Sequence, residues 1–266
     1  MQQKYYFLTG FPRSGNTLLS TILNQNKDIA TSGHSYAPQV FFNLETIKYD
    51  DKYNYFPAKD SLKEIQKNVL FNFYKQWKQK YIISRGEWAT PFNYNMLKQY
   101  CPNEIKLIFL VRNPVEIITS YLNLCNKYPD FYINFEYNQM DKTALHRSEI
   151  EEKIELITKK NSLFDFSCMA YNFIKNNEDV LFIDYNNLIK NPENNINKIY
   201  SFLKIPKFKH CFNITKQFSI NNIKYDDTIL KAPMHTLKTG ELKKTIYNQI
   251  KIPNYIIEKY KNFIKE

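Results

Sequence analysis

Ile105–Val111, with the sequence IKLIFLV, narrows the possible folds of this chain more than any other segment. Apolar along nearly its whole length, it suits a strand buried on both faces, as in a parallel sheet with helices packed on either side. The rest of the chain alternates in the same way. Lys4–Thr9 is strand-like and is followed by a helix near Asn16–Asn26 and an extended piece at Asp28–Thr31. Leu62, Ile65, Val69, Phe73 and Trp77 recur at helical spacing and predict one helix over Ser61–Lys80, opened by a cap at Asp60 or Ser61. Tyr81–Ser84 reads as a strand, and Pro91–Tyr100 and Pro114–Leu124 as helices. Tyr128–Met140 is aromatic and irregular, suited to a lid or an acceptor-facing loop. Thr143–Lys175 is expected to be mostly helical, Val180–Asp184 another buried strand, Pro192–Leu203 a helix and Ile220–Lys238 a loop, with two short helices closing the chain. No repeat, linker or compositional shift divides it. The expectation is one domain over residues 1–266, an α/β fold of three layers (α/β/α) around a central parallel sheet, with ligands bound beyond the carboxyl ends of the strands.

Lys4–Thr9 leads into Gly10-Phe11-Pro12-Arg13-Ser14-Gly15-Asn16-Thr17 and then a helix. Strand, glycine-bearing turn and helix N-terminus together place several backbone N–H groups around one anion. Arg13 adds a fixed cation, and Ser14, Asn16 and Thr17 add side-chain donors. This is not a Walker A loop, because Gly15 is followed by Asn where that pattern requires Lys. By itself the segment is also compatible with an ordinary capped strand–turn–helix. A second constellation starts at the end of IKLIFLV. Arg112 is followed eight residues later by Ser120, about two helical turns into the next element. A guanidinium and a hydroxyl converging from one strand–helix unit can grip a second phosphate, or can be a surface ion pair and a helix-interior serine.

Composition supports an anionic ligand only in part. The formal charge is +11, but the basic residues are mostly scattered lysines, with no cluster of five. There are only four arginines, Arg13, Arg85, Arg112 and Arg147, and two of them stand at the two suspected phosphate positions. All five glycines lie in or beside candidate site segments. The four cysteines are widely spaced and form no C-x-x-C pair, so they read as free thiols in a reducing compartment, neither a disulfide framework nor a zinc site. No apolar run approaches the roughly twenty residues of a membrane span. Met1–Lys4 opens on no long apolar leader, and a cytoplasmic protein is expected.

GFPRSGNTLL after the first strand, together with FLVRNPVEIITSYLN after a central one, resembles the sulfotransferases that use 3′-phosphoadenosine 5′-phosphosulfate (PAPS), in pattern the bacterial and protein-tyrosine members most. The resemblance implies a P-loop-like nucleotide-binding fold. The first loop, Pro12 to Thr17, would hold the 5′-phosphosulfate, with Arg13 stabilising the leaving phosphate, and Arg112 and Ser120 would hold the 3′-phosphate. LFIDYNNLIKNPENNINKIYSFLKIP resembles the family's Y-x-x-L-x-x-x-P unit, which would put Tyr185 near the adenine. HTLKTGELKK resembles the family's late loop over the 3′-phosphate and implicates Lys238, Thr239 and Gly240. PAPS would be the donor and adenosine 3′,5′-bisphosphate (PAP) the product. No metal is expected, and the acceptor would be a small molecule, glycan or peptide.

An acceptor hydroxyl needs a base, and here the chain departs from some relatives. Where they carry T-H-x-P or x-K-T-P, it has Trp88-Ala89-Thr90-Pro91, with alanine at the basic position. His34 in TSGHSY and Glu87 in SRGEWATP are the two candidates. A neutral imidazole suits proton abstraction near pH 7, and each residue could equally be structural. Two other readings stay open: a P-loop kinase of a nucleotide or metabolite, and a non-catalytic binder of nucleotide or polyanion. Nucleic acid is not an expected partner, since no recognised motif or basic–aromatic stripe is present.

Overall fold

The computed structural model describes residues 3–55, 57, 59–101, 104–141, 147–244 and 250–264. Strands β1 (Lys4–Gly10), β2 (Ile29–Thr31), β3 (Tyr81–Arg85), β4 (Leu107–Val111) and β5 (Val180–Asp184) form one parallel sheet in the order β2-β3-β1-β4-β5. The period of two along the strands sorts side chains between two cores. Phe7, Ile82, Leu107, Phe109 and Val111 enter one, and Tyr6, Leu8, Tyr81, Ile83, Ile108 and Leu110 the other. With both faces covered, the architecture is three-layer α/β/α, as expected.

Helices connect the strands: α1 (Asn16–Leu23), α2 (Ala37–Thr46), α3 (Asp51–Asn54), α4 (Lys59–Lys67), α5 (Val69–Phe73), α6 (Pro91–Tyr100), α7 (Pro114–Lys127), α8 (Tyr132–Gln139), α9 (Glu149–Thr158) and α10 (Leu163–Ile174). Beyond β5 come α11 (Tyr185–Lys190), α12 (Pro192–Leu203) and α13 (Asn254–Tyr260), and a small antiparallel pair, β6 (Asn213–Ile214) with β7 (Gly240–Glu241). No helix among the described residues is long and apolar enough to cross a membrane.

Two expectations change. The helix over Ser61–Lys80 is broken at Asn68, whose side chain donates to the Glu64 carbonyl at 2.8 Å and so competes with the helix backbone. Tyr128–Met140 is not irregular. It contains α8, which buries Ile133 and Asn134 just after the buried Phe131, and Asn134 ties the turn before it by donating to the carbonyls of Cys125 and Tyr128. A polar residue in the buried stripe hides the helical period from a count of apolar positions. The described part of Thr143–Lys175 is mostly helical, as expected, in two helices: Asn161 turns left-handed (φ 65°) and Ser162 caps α10 by accepting from the Asp165 amide. Residues 143–146, at the start of that span and including His146, lie outside the described residues. Ile220–Lys238 is a loop, with a single bridge between Ile220 and Ile223. Of the two closing helices one is α13, and residues 245–249 fall outside the described residues.

Candidate active site

All five strands end at the same edge, and each delivers one candidate segment there: β1 the loop at Arg13, β2 the turn at His34, β3 Arg85 and Glu87, β4 Arg112, and β5 Tyr185. The strand order reverses on either side of β1, where an open α/β sheet leaves its crevice.

The loop after β1 is built on close approach. A Cβ on Gly10 would stand 2.5 Å from the Leu110 carbonyl oxygen, so β1 can leave the sheet beside β4 only with glycine there. The Phe11 carbonyl then accepts from Ser14 Oγ at 2.6 Å and Asn16 Nδ2 at 2.9 Å. Ser14, Asn16 and Pro12 are buried, and the two polar side chains brace the loop from within. Arg13 adopts a left-handed backbone (φ 61°) and so does Gly15 (φ 88°). No side chain caps α1, which leaves its first-turn amides to a ligand.

From this turn Arg13 reaches across to α7. Its Nε donates to Ser120 Oγ at 3.1 Å and its Nη1 to the Met234 carbonyl at 2.6 Å. Arg112, 1% exposed, donates from Nη1 to the Arg13 carbonyl at 2.6 Å and from Nε to Glu116 at 3.1 Å. Asn113 caps α7 through the Val115 amide, with Pro114 at the first position, so the helix starts at once and brings Ser120 under the loop. The Arg112 guanidinium lies 4.5 Å from the centroid of the Tyr185 ring, and a Cβ on Gly15 would meet that ring at 2.8 Å. Arg13, Gly15, Arg112, Ser120 and Tyr185, far apart in sequence, are thus one packed unit.

Lys238, Thr239 and Gly240 are not part of it. Gly240 pairs with Ile214, and among the described residues neither Lys238 nor Thr239 makes a hydrogen bond or ion pair. The late loop instead sends Lys244 to Glu116 at 2.7 Å. Burial works to raise the Glu116 carboxyl, yet Lys244 and Arg112 hold it below its ordinary value.

His34 and Glu87 are neighbours, with Nε2 and Oε1 3.8 Å apart and side chains 44% and 42% exposed. The turn carrying His34 is pinned to β3 by two 2.7 Å bonds: the Arg85 amide donates to Ser32 Oγ and the Ser35 amide to the Arg85 carbonyl. Burial lowers the His34 pKa and Arg85 adds to this, against an upward pull from Glu87. Ala89 is fully buried in the core behind them, and Thr90 caps α6.

Sequence reasoning missed Glu116, Lys244, Met234 and a group around Arg85. Arg85 Nη1 donates to the Gly33 carbonyl and the Tyr225 hydroxyl. The Tyr225 ring stacks on His235 at 3.9 Å, and His235 Nδ1 stands 2.6 Å from Asp227 Oδ1. Arg85 did carry a readable signal, an arginine beside a glycine at the end of a strand. Tyr225, Asp227 and His235 lie in an irregular segment with no period to place them. Among the described residues no group of three or more metal-ligating side chains is poised to hold an ion.

The sulfotransferase domain from the olefin synthase of Synechococcus PCC 7002 superposes with a TM-score of 0.57 at 14% identity, over 98% of this chain and 95% of that one. The sulfotransferase domain from the curacin biosynthetic pathway gives 0.48 at 16% identity, over 78% and 76%. A mouse sulfotransferase solved with PAP gives 0.46 at 16%, over 79% and 62%. Among curated proteins no sequence matches. The first of these similarities bears on fold alone. The sequence model of the sulfotransferase domain matches residues 3–265, and this chain therefore belongs to the sulfotransferase family.

Proposed function

We propose that this protein, acting as one domain, transfers a sulfuryl group from PAPS to a hydroxyl or amine acceptor by in-line displacement. The observation that carries this reading is the link between the two expected phosphate positions: Arg112 holds the Arg13 carbonyl, and Arg13 in turn reaches Ser120. The loop amides, Thr17 and Arg13 take the 5′-phosphosulfate end, and Arg112 and Ser120 take the 3′-phosphate, with Lys244 near by through Glu116. Arg13 stabilises charge growing on the leaving phosphate. Positioning and charge stabilisation of this kind supply most of the catalysis in the related phosphoryl transfers.

His34 takes the acceptor proton. Its lowered pKa keeps the imidazole neutral near pH 7, and Glu87 beside it stabilises the imidazolium that forms. A kinase reading needs a strand-end aspartate for magnesium. β5 does end in Asp184, but that side chain caps α11 through the Asn187 amide at 2.7 Å. The test is transfer of labelled sulfuryl from PAPS to a panel of phenols, sugars and peptides, in the presence of a metal chelator and in parallel with labelled ATP. Chelator-resistant transfer from PAPS is expected. Transfer from ATP alone, abolished by the chelator, would replace this reading with the kinase one.

A further inference from the structure

We propose that Arg85 holds the sulfuryl group in transit between donor and acceptor, an inference that rests on the sulfuryl-transfer reading above. Arg85 ends β3, and its backbone is fixed on both sides by Ser32 and Ser35 at 2.7 Å. An arginine side chain carries five N–H donors. The two on Nη1 go to the Gly33 carbonyl and the Tyr225 hydroxyl. Among the described residues the donors on Nε and Nη2 have no protein partner, and no carboxylate stands within ion-pair distance. Glu87 acts on Arg85 only from further off and is nearest His34. A half-buried guanidinium whose remaining donors have neither a counter-ion nor a burying neighbour is suited to receive an anion.

Its place says which anion. Tyr225, the hydroxyl that Arg85 grips, also lies close enough to Thr17 of the donor loop for that side chain to favour its ionised form. Gly33, the carbonyl it grips, immediately precedes His34. Arg85 therefore stands one hydroxyl from the donor loop and one residue from the proposed base, on the line along which the group must pass. Tyr225 is itself held: its ring lies flat on His235 at 8°, and Asp227 binds both the His235 ring at 2.6 Å and its amide at 2.9 Å. In the transfer, the bond from sulfur to the 5′-phosphate oxygen breaks and its electron pair stays on that oxygen, beside Arg13. The acceptor oxygen bonds to sulfur, and its proton passes to His34. In both PAPS and the sulfated product the sulfuryl oxygens carry negative charge, and the planar Nε/Nη2 fork matches two of them. Arg85 exchanges no proton.

The experiment is calorimetric titration of wild type, Arg85→Met and Arg85→Lys with PAP and with PAPS, which differ by the sulfuryl group, alongside steady-state kinetics. Arg85→Met is expected to bind PAP within about twofold of wild type, to bind PAPS at least about tenfold more weakly, and to lose about 10²–10³ in kcat. Arg85→Lys, which keeps the charge without the fork, is expected to lie between the two and serves alone if the methionine variant does not fold. Equal weakening of PAP and PAPS would overturn the proposal in favour of a structural role. A rise in acceptor KM alone would overturn it in favour of an anionic acceptor. If wild type binds neither nucleotide, the sulfuryl-transfer reading itself fails.

Discussion

The Arg112 guanidinium donates to the backbone carbonyl of Arg13 at 2.6 Å, so the residue just after β4 holds the donor loop in its left-handed turn. On the proposed reading, one arginine is a ligand for one end of the nucleotide and a brace for the loop at the other. Arg112→Met is expected to destabilise the fold by about 1–3 kcal/mol, because a buried carbonyl and part of the Glu116 carboxylate lose their donor. It should also weaken both nucleotides, PAP more than 5′-AMP. Urea denaturation and nucleotide titration check the two parts. A variant that loses PAP affinity while keeping full 5′-AMP affinity would confine Arg112 to the 3′-phosphate.

Arg13→Ala is expected to leave PAP binding measurable while lowering kcat by about 10²–10³, the usual effect of removing a donor aimed at developing charge. Single-turnover kinetics with PAPS check it. Equal losses in binding and turnover would make Arg13 a ground-state contact only.

Gly15 meets two constraints, a φ of 88° and the Tyr185 ring 2.8 Å from where a Cβ would stand. Gly15→Ala is expected to cost about 1–3 kcal/mol of stability and to weaken nucleotide binding. Adding Tyr185→Leu should recover the part due to the clash and not the part due to φ. A thermal melt of the single and double variants separates them.

The pH profile distinguishes the two candidate bases. With His34 as base, kcat/KM rises with pH through an ionisation below the ordinary histidine value of 6.5, since burial and Arg85 favour the neutral ring. Glu87 pulls that ionisation upward, so Glu87→Gln should move the limb to still lower pH and retain activity, and His34→Gln should remove both limb and turnover. Loss of turnover in Glu87→Gln with the limb kept in His34→Gln would reverse the assignment.

The sheet was legible because β4 and β1 are buried on both faces and leave near-continuous apolar runs. The donor loop and the Arg112–Ser120 pair were legible because each sits within one strand–turn–helix unit, where spacing translates into geometry. Positions set by tertiary contact were not. Nothing local marks Lys244 as the lysine that reaches Glu116, or Tyr225 as the partner of Arg85. His34 and Glu87 could be read only as alternatives, because their adjacency comes from the parallel pairing of β2 with β3. Asn68 and Asn134 misled for one reason: a side chain that bonds the backbone ends one helix and begins another without changing the apolar count.

Calorimetric titration of the wild-type protein with PAP and with 5′-AMP is the decisive measurement. Both should bind through the loop after β1, with PAP the tighter by at least about tenfold, because the 3′-phosphate adds charge-assisted bonds to Arg112 and Ser120. Equal affinities, or no heat with either nucleotide at millimolar concentration, would contradict a bipartite site for a 3′-phosphorylated donor.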